Sequence, residues 1–143
     1  MDEGLYREII LDHYQNPRHK GCCNTANCKA HGHNPLCGDD ITITAHLEAG
    51  KVKCLCFDGK GCSISQSSAS MMTEAVIGLS IEDARYEIKK IKAMFKGEAH
   101  EAIDEDSDLA TLEGVKQFPV RIKCALLPWT TLEEALEEPS EAR

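Results

Sequence analysis

Leu5, Ile9, Ile10 and His13-Tyr14 recur at helical spacing, and Asn16-Pro17 ends the run because a residue before proline is pushed out of the α region. The pattern predicts an N-terminal amphipathic helix. Residues 18 to 36, with Cys22, Cys23, Asn24, Asn27, Gly32, Asn34 and Pro35, have no clear period and read as loop with room for one short strand. Ile41, Ile43, Ala45 and Leu47 then alternate with Thr42, Thr44, His46 and Glu48, and Val52 to Phe57 follows across Glu48-Ala49-Gly50-Lys51. This predicts an antiparallel hairpin with Leu55 and Phe57 facing the core and Cys54 and Cys56 on the other face.

The second half reads as helical. Small residues from Ser65 to Ser70 lead into Met71-Met72 and Ala75-Val76, with Cys62 at the helix start and Gly78 suited to its end. Ser80, followed by Asp83 at a capping-box position, opens a second helix to about Phe95, and Gly97 ends it. Residues 98 to 113 hold Glu98, Glu101, Asp104, Glu105, Asp106, Asp108 and Glu113, an exposed acidic connection leading into a short helix. Pro119 suits the first position of a final helix through Cys124, continued by Leu132, Ala135 and Leu136. Pro128 lacks the N–H that would bond the carbonyl of Cys124, so a bend or break is expected there. The last residues, about 139 to 143, are expected to fray. No internal repeat is visible.

A length of 143 residues suits one domain, here taken as 1–143, with a core that needs no disulfide or metal as an obligatory staple. A net charge of -8 with scattered basic residues argues against nucleic acid as a partner. The Lys89, Lys90, Lys92 and Lys96 cluster falls opposite Ile88, Ile91 and Phe95 and reads as a solvated helix face. No run approaches the ~18 apolar residues of a membrane span. The opening Met1-Asp2-Glu3-Gly4 has neither a basic n-region nor an apolar h-region, which predicts a cytoplasmic protein. Its eight cysteines are then expected to be reduced, and to serve metal binding or thiol chemistry rather than a disulfide framework.

Candidate chemistry centres on Cys37, Asp39, Cys62 and Cys124, which could give four anionic ligands to one zinc ion. Such a set carries a net charge of about -2, costly to bury without a cation. Arg121, at i-3 to Cys124 on the last helix, can supply it, and reads equally as an ordinary surface cation. Cys62 at a helix N-terminus is placed to ionise. Spacing alone leaves a metal site and buried apolar cysteines equally open, because isolated cysteines lack the close pairs of a zinc finger. Cys22, Cys23 and Cys28 with His31 and His33 form a further cluster that could bind a second metal, though incidental loop cysteines are the favoured reading. Cys54 and Cys56 read as tolerated thiols open to oxidation.

Four ordered motifs carry a family resemblance. They are Leu5-Tyr6-Arg7-Glu8-Ile9-Ile10-Leu11-Asp12-His13-Tyr14 with Asn16-Pro17-Arg18, then Gly32-His33-Asn34-Pro35-Leu36-Cys37-Gly38-Asp39, Gly59-Lys60-Gly61-Cys62-Ser63-Ile64-Ser65, and Arg121-Ile122-Lys123-Cys124-Ala125. From about residue 5 to 137 the chain resembles the IscU/NifU N-terminal family of iron–sulfur cluster assembly. Lys123 stands where IscU proteins carry a histidine, and the acidic stretch near 97 to 117 resembles an insertion of the SufU branch.

The resemblance implies an α+β fold, a small antiparallel sheet of about three strands with helices packed on it. It also implies zinc on Cys37, Asp39, Cys62 and Cys124. The implied activity is sulfur transfer: Cys37 takes persulfide sulfur from a PLP-dependent cysteine desulfurase of the SufS type and relays it to downstream iron–sulfur assembly components. Arg121 would steady the thiolate charge. The rival readings are a scaffold for a [2Fe–2S] cluster on the same cysteines, which Lys123 disfavours, and a structural zinc protein that regulates a partner by docking.

Overall fold

The computed structural model describes residues 3–137, and the expected frayed tail lies outside them. The described residues form helix α1 (Glu3–Gln15), strands β1 (Cys28–Asn34), β2 (Asp39–Glu48) and β3 (Lys51–Lys60), then helices α2 (Ser63–Val76), α3 (Ile81–Lys96), α4 (Ala110–Val115) and α5 (Pro119–Glu137). The sheet order is β1-β2-β3, antiparallel throughout. The architecture is therefore the α+β one expected.

Alternation along β2 decides which face is covered. Ile41, Ile43, Ala45 and Leu47 are buried against the helices, and Leu55 and Phe57 join them from β3. A register shift between His46 and Leu47 lets Val52 also face inward. Helix α5 lies across β1 and β2, α2 packs on β3 and α5, α1 on α2, and α3 on α5. The loop expected over 18 to 36 contains all of β1 and a further bridge, Lys20 to Phe57 in parallel, at the free edge of β3. Gly21 N–H donates to the Phe57 carbonyl at 2.7 Å and Phe57 N–H to that of His19 at 3.1 Å. From that edge the chain crosses the outer face of the sheet to reach β1.

Caps fall where the residues place them. Ser80 Oγ accepts from the Asp83 N–H at 3.0 Å, and Gly97 closes α3 in the left-handed conformation at φ 74°. Small polar residues let α2 sit close to its neighbours, and their hydroxyls are used: Trp129 Nε1 donates to Ser68 Oγ at 3.0 Å, and Ser68 Oγ donates to the Ala125 carbonyl at 2.7 Å. His13, fully buried, is wedged between Ser70 Oγ at 2.8 Å and Asp108 Oδ2 at 2.7 Å, so it ties α1 to α2 and to the acidic connection. Of the bend or break expected at Pro128, the break does not occur. Helix α5 continues through it, with Pro128 buried among Cys124, Trp129 and Leu132. Packing of that face outweighs one missing backbone bond.

Gly59 has a conformation other residues avoid, φ 120°, where β3 leaves the sheet toward Cys62. A Cβ there would run into the carbonyl oxygen of Asp40 on the paired strand. Gly59→Ala is expected to lower unfolding free energy by roughly 2 kcal/mol or more, read from urea denaturation midpoints.

Candidate metal centre

The same strand parity that buries Ile41 and Ile43 points Asp39 inward at the start of β2, where its side chain is fully buried. A buried carboxylate needs donors. Cys62 N–H reaches Asp39 Oδ1 at 2.9 Å, Ser65 Oγ donates to the same oxygen at 3.0 Å, and Asn34 Nδ2 approaches Oδ2 at 3.4 Å. Three segments thus converge on one side chain: the end of β1, the start of α2 and β2 itself. Gly61 is obligatory for that approach, since a Cβ would lie 2.6 Å from Asp39 Oδ1 and would also meet Ser65 Oγ.

Cys37 sits on the turn between β1 and β2. Asn34 shapes this turn, its carbonyl accepting from the Cys37 N–H at 3.3 Å and its Oδ1 from the Leu36 N–H at 3.3 Å. Helix α5 supplies Cys124, fully buried, with its Sγ 2.8 Å from Cys37 Sγ and 3.7 Å from Asn34 Nδ2. The ligand atoms of Cys37, Asp39 and Cys124 all lie within 4.8 Å of one another. That span matches ligands each about 2.0–2.3 Å from a single zinc ion, and two thiols with a carboxylate suit that metal. The residues present fit the group.

Cys62 stands at the rim of this set rather than inside it. It is the N-cap of α2, half-buried, with its Sγ accepting the Ser65 N–H at 3.5 Å. Burial pushes the Cys124 thiol strongly up, reinforced by hydrogen bonding with Cys37 and Asp39 and by the neighbouring Cys62. Arg121, on the exposed side of α5, is drawn to the charge of Cys62 first and then Cys124, which holds its guanidinium pKa up against the opposing effect of desolvation. Arg121 is exposed on α5 with its guanidinium in reach of Cys62 and Cys124.

The disfavoured cluster of Cys22, Cys23 and Cys28 with His31 and His33 does not assemble among the described residues. Cys28 is buried with its Sγ toward the Ala45 carbonyl at 3.7 Å, Cys22 is exposed, and His31 pairs with Asp40 at 2.7 Å. Instead Cys23 is joined to Cys54 in a disulfide. The expectation that all thiols are free is corrected here, for a physical reason: the loop crossing the outer sheet face lays Cys23 directly over the strand that carries Cys54. The Cys23 N–H is held by Thr44 Oγ1 at 3.0 Å. The signal available in the sequence was Cys54-Leu55-Cys56, two thiols on one strand face.

Fold and centre together define a cysteine-rich α+β domain that gathers thiols and a buried carboxylate at one end of a three-stranded sheet. The chain belongs to the NifU-like N terminal domain family, which matches residues 5–135. It is 44% identical over 132 residues to the zinc-dependent sulfurtransferase SufU of Bacillus subtilis, covering 92% of this chain and 89% of that protein. It is 37% identical over 139 residues to the iron–sulfur cluster assembly scaffold protein IscU of Streptococcus pyogenes serotype M1, covering 97% of this chain and 87% of the other. Among solved structures, a protein from Fervidobacterium islandicum AW-1, described as an iron–sulfur cluster assembly scaffold for the SUF system, superposes with a TM-score of 0.85 at 31% identity, over 95% of this chain and 100% of that one.

Asn34→Ala removes the acceptor that shapes the turn and a donor to both Asp39 and Cys124. In metal-free protein we expect Cys37 to be alkylated by iodoacetamide several-fold faster, measured by peptide mass spectrometry, with little change in circular dichroism.

Proposed function

We propose that the protein is a zinc-dependent sulfurtransferase that accepts persulfide sulfur from a PLP-dependent cysteine desulfurase of the SufS type and relays it to iron–sulfur cluster assembly in the cytoplasm. The observation that carries this reading is the convergence of Cys37, Asp39 and Cys124, with Cys62 and Arg121 at the rim, in a chain so similar to a protein named for that activity. Cys37, Asp39, Cys62 and Cys124 would hold the zinc. Bound there, zinc would keep its cysteine ligands as thiolates at neutral pH.

The roles divide by how each residue is held. Asp39 is fixed by three donors, Cys124 is buried in α5, and Cys62 caps α2. Cys37 alone is on a turn, beside Gly38 at φ 68°, and its side chain is the one with freedom to meet a partner. Its thiolate attacks the outer sulfur of the desulfurase persulfide. A sulfur–sulfur bond forms to Cys37, the bond to the desulfurase cysteine breaks, and that cysteine departs as thiolate with the electron pair. Arg121 offsets the anionic charge during the exchange. Leu36, 79% exposed, and Val120, 75% exposed, precede Cys37 and Arg121 in the chain and offer apolar surface beside the centre for a docking partner.

A second reading, a scaffold for a [2Fe–2S] cluster on the same thiols, is favoured by the similarity to scaffold proteins. It is separated by anaerobic addition of iron and sulfide, which under the first reading leaves the zinc protein without visible absorbance.

The decisive measurement supplies labelled sulfur through a cysteine desulfurase and locates the persulfide by mass spectrometry. Cys37→Ala is expected to lose the label while Cys62 and Cys124 remain unlabelled; normal labelling of that variant overturns the assignment. Arg121→Ala should still bind zinc but accept sulfur about tenfold more slowly. Chelation of the zinc should both stop sulfur acceptance and lower the thermal midpoint by several degrees, because a ligand of the native state stabilises it.

A further inference from the structure

Cys23, Cys54 and Cys56 bring their sulfurs together on the outer face of the sheet, within 4.8 Å of one another. Cys56 Sγ is 3.3 Å from Cys23 Sγ and 3.8 Å from Cys54 Sγ. A staple needs two cysteines, and the third in contact with both calls for a further explanation. Cys54 and Cys56 share a face because they are two residues apart on β3. The loop that carries Cys23 is pinned on both sides, by Gly21 to Phe57 before it and by Asn27 to Ala45 and Leu47 after it. The ligand positions are thus set by backbone pairing. Cys22, next to Cys23 in the chain, is exposed.

The cluster is separate from the centre at Asp39. Thr44, which bonds the Cys23 loop, is five residues along β2 from Asp39 and of opposite parity, so about 17 Å and one sheet thickness intervene. Its ligands are all sulfur, with no carboxylate among them. A set of three thiolates suits zinc among the common divalent ions.

We propose that Cys23, Cys54 and Cys56 form a second, redox-gated site: reduced, the three sulfurs bind one Zn2+ with water completing its coordination; oxidised, Cys23 and Cys54 are joined as a disulfide and the site cannot hold the metal. Oxidation removes two electrons from the two thiols. A disulfide such as oxidised glutathione accepts them by thiol–disulfide exchange and departs as two thiols, taking up the two protons. Reduction by a dithiol reverses this, and zinc binding then displaces the remaining thiol protons to solvent. The site ties the loop over 21–27 to β3 in either state, by metal or by covalent bond.

The test is native mass spectrometry of the full chain equilibrated with zinc under a phosphine reductant. Unmodified protein is expected to carry one more zinc per chain than Cys54→Ser/Cys56→Ser, whatever the occupancy of the first centre, and to lose that zinc with oxidised glutathione. Equal zinc counts in the two proteins overturn the proposal. A second measurement needs no variant: in reduced protein, zinc should slow alkylation of Cys56 at least about tenfold, and equal rates with and without zinc overturn the proposal just as directly.

Discussion

Burial of the Asp39 carboxylate at the entry to β2 is the constraint around which the centre is built. A carboxylate removed from water must be met by donors, and here they come from Cys62, Ser65 and Asn34. Cys62 and Ser65 open α2 and Asn34 ends β1, so satisfying one oxygen pair also sets the start of α2 and the turn after β1. Cys62 and Cys37 are placed as a consequence. Gly61 follows from the same demand, because the Asp39 carboxylate leaves no room for a Cβ, while Gly59 is set by the close Asp40 carbonyl of the paired strand.

Helix α5 completes the arrangement from above the sheet. Its buried face carries Cys124 to Cys37, and Trp129 reaches Ser68 on α2, whose hydroxyl returns to the Ala125 carbonyl. The small residues of α2 permit this approach, since each buried hydroxyl finds a partner where a larger side chain would hold the helices apart. Arg121 projects from the start of the same helix toward Cys62 and Cys124, which gives a cluster of potential anions its nearest counter-charge. The elements that form the core and those that form the centre are therefore the same elements.

Strand parity separates two kinds of sulfur chemistry in one small domain. Residues of β2 in step with Ile41 face the helices and lead to Asp39, while Thr44 and the β3 pair Cys54 and Cys56 face outward beneath the crossing loop. A one-residue slip in register would exchange the two faces and destroy both groupings. The disulfide between Cys23 and Cys54 lies on the outward side, remote from the thiols that converge on Asp39.

Local periodicity and punctuation in the chain already specify α1, the hairpin, the Ser80 cap and the Gly97 stop, because each depends on a few neighbouring residues. Four motifs specify the family and single out Cys37, Asp39, Cys62, Cys124 and Arg121, of which all but Cys62 and Arg121 close into one tight group with those two at its edge. Strand β1 shows in the sequence only as room for one short strand, because His31 and His33 alternate with small residues rather than apolar ones. The continuity of α5 through Pro128 was hidden because tertiary burial, not backbone bonding, holds that segment. The grouping of Cys23 with Cys54 and Cys56 joins residues about thirty positions apart, and depends on a loop route that no local pattern encodes. Short-range preferences decide the elements, whereas which distant side chains meet is settled only when the sheet and its crossing loop pack.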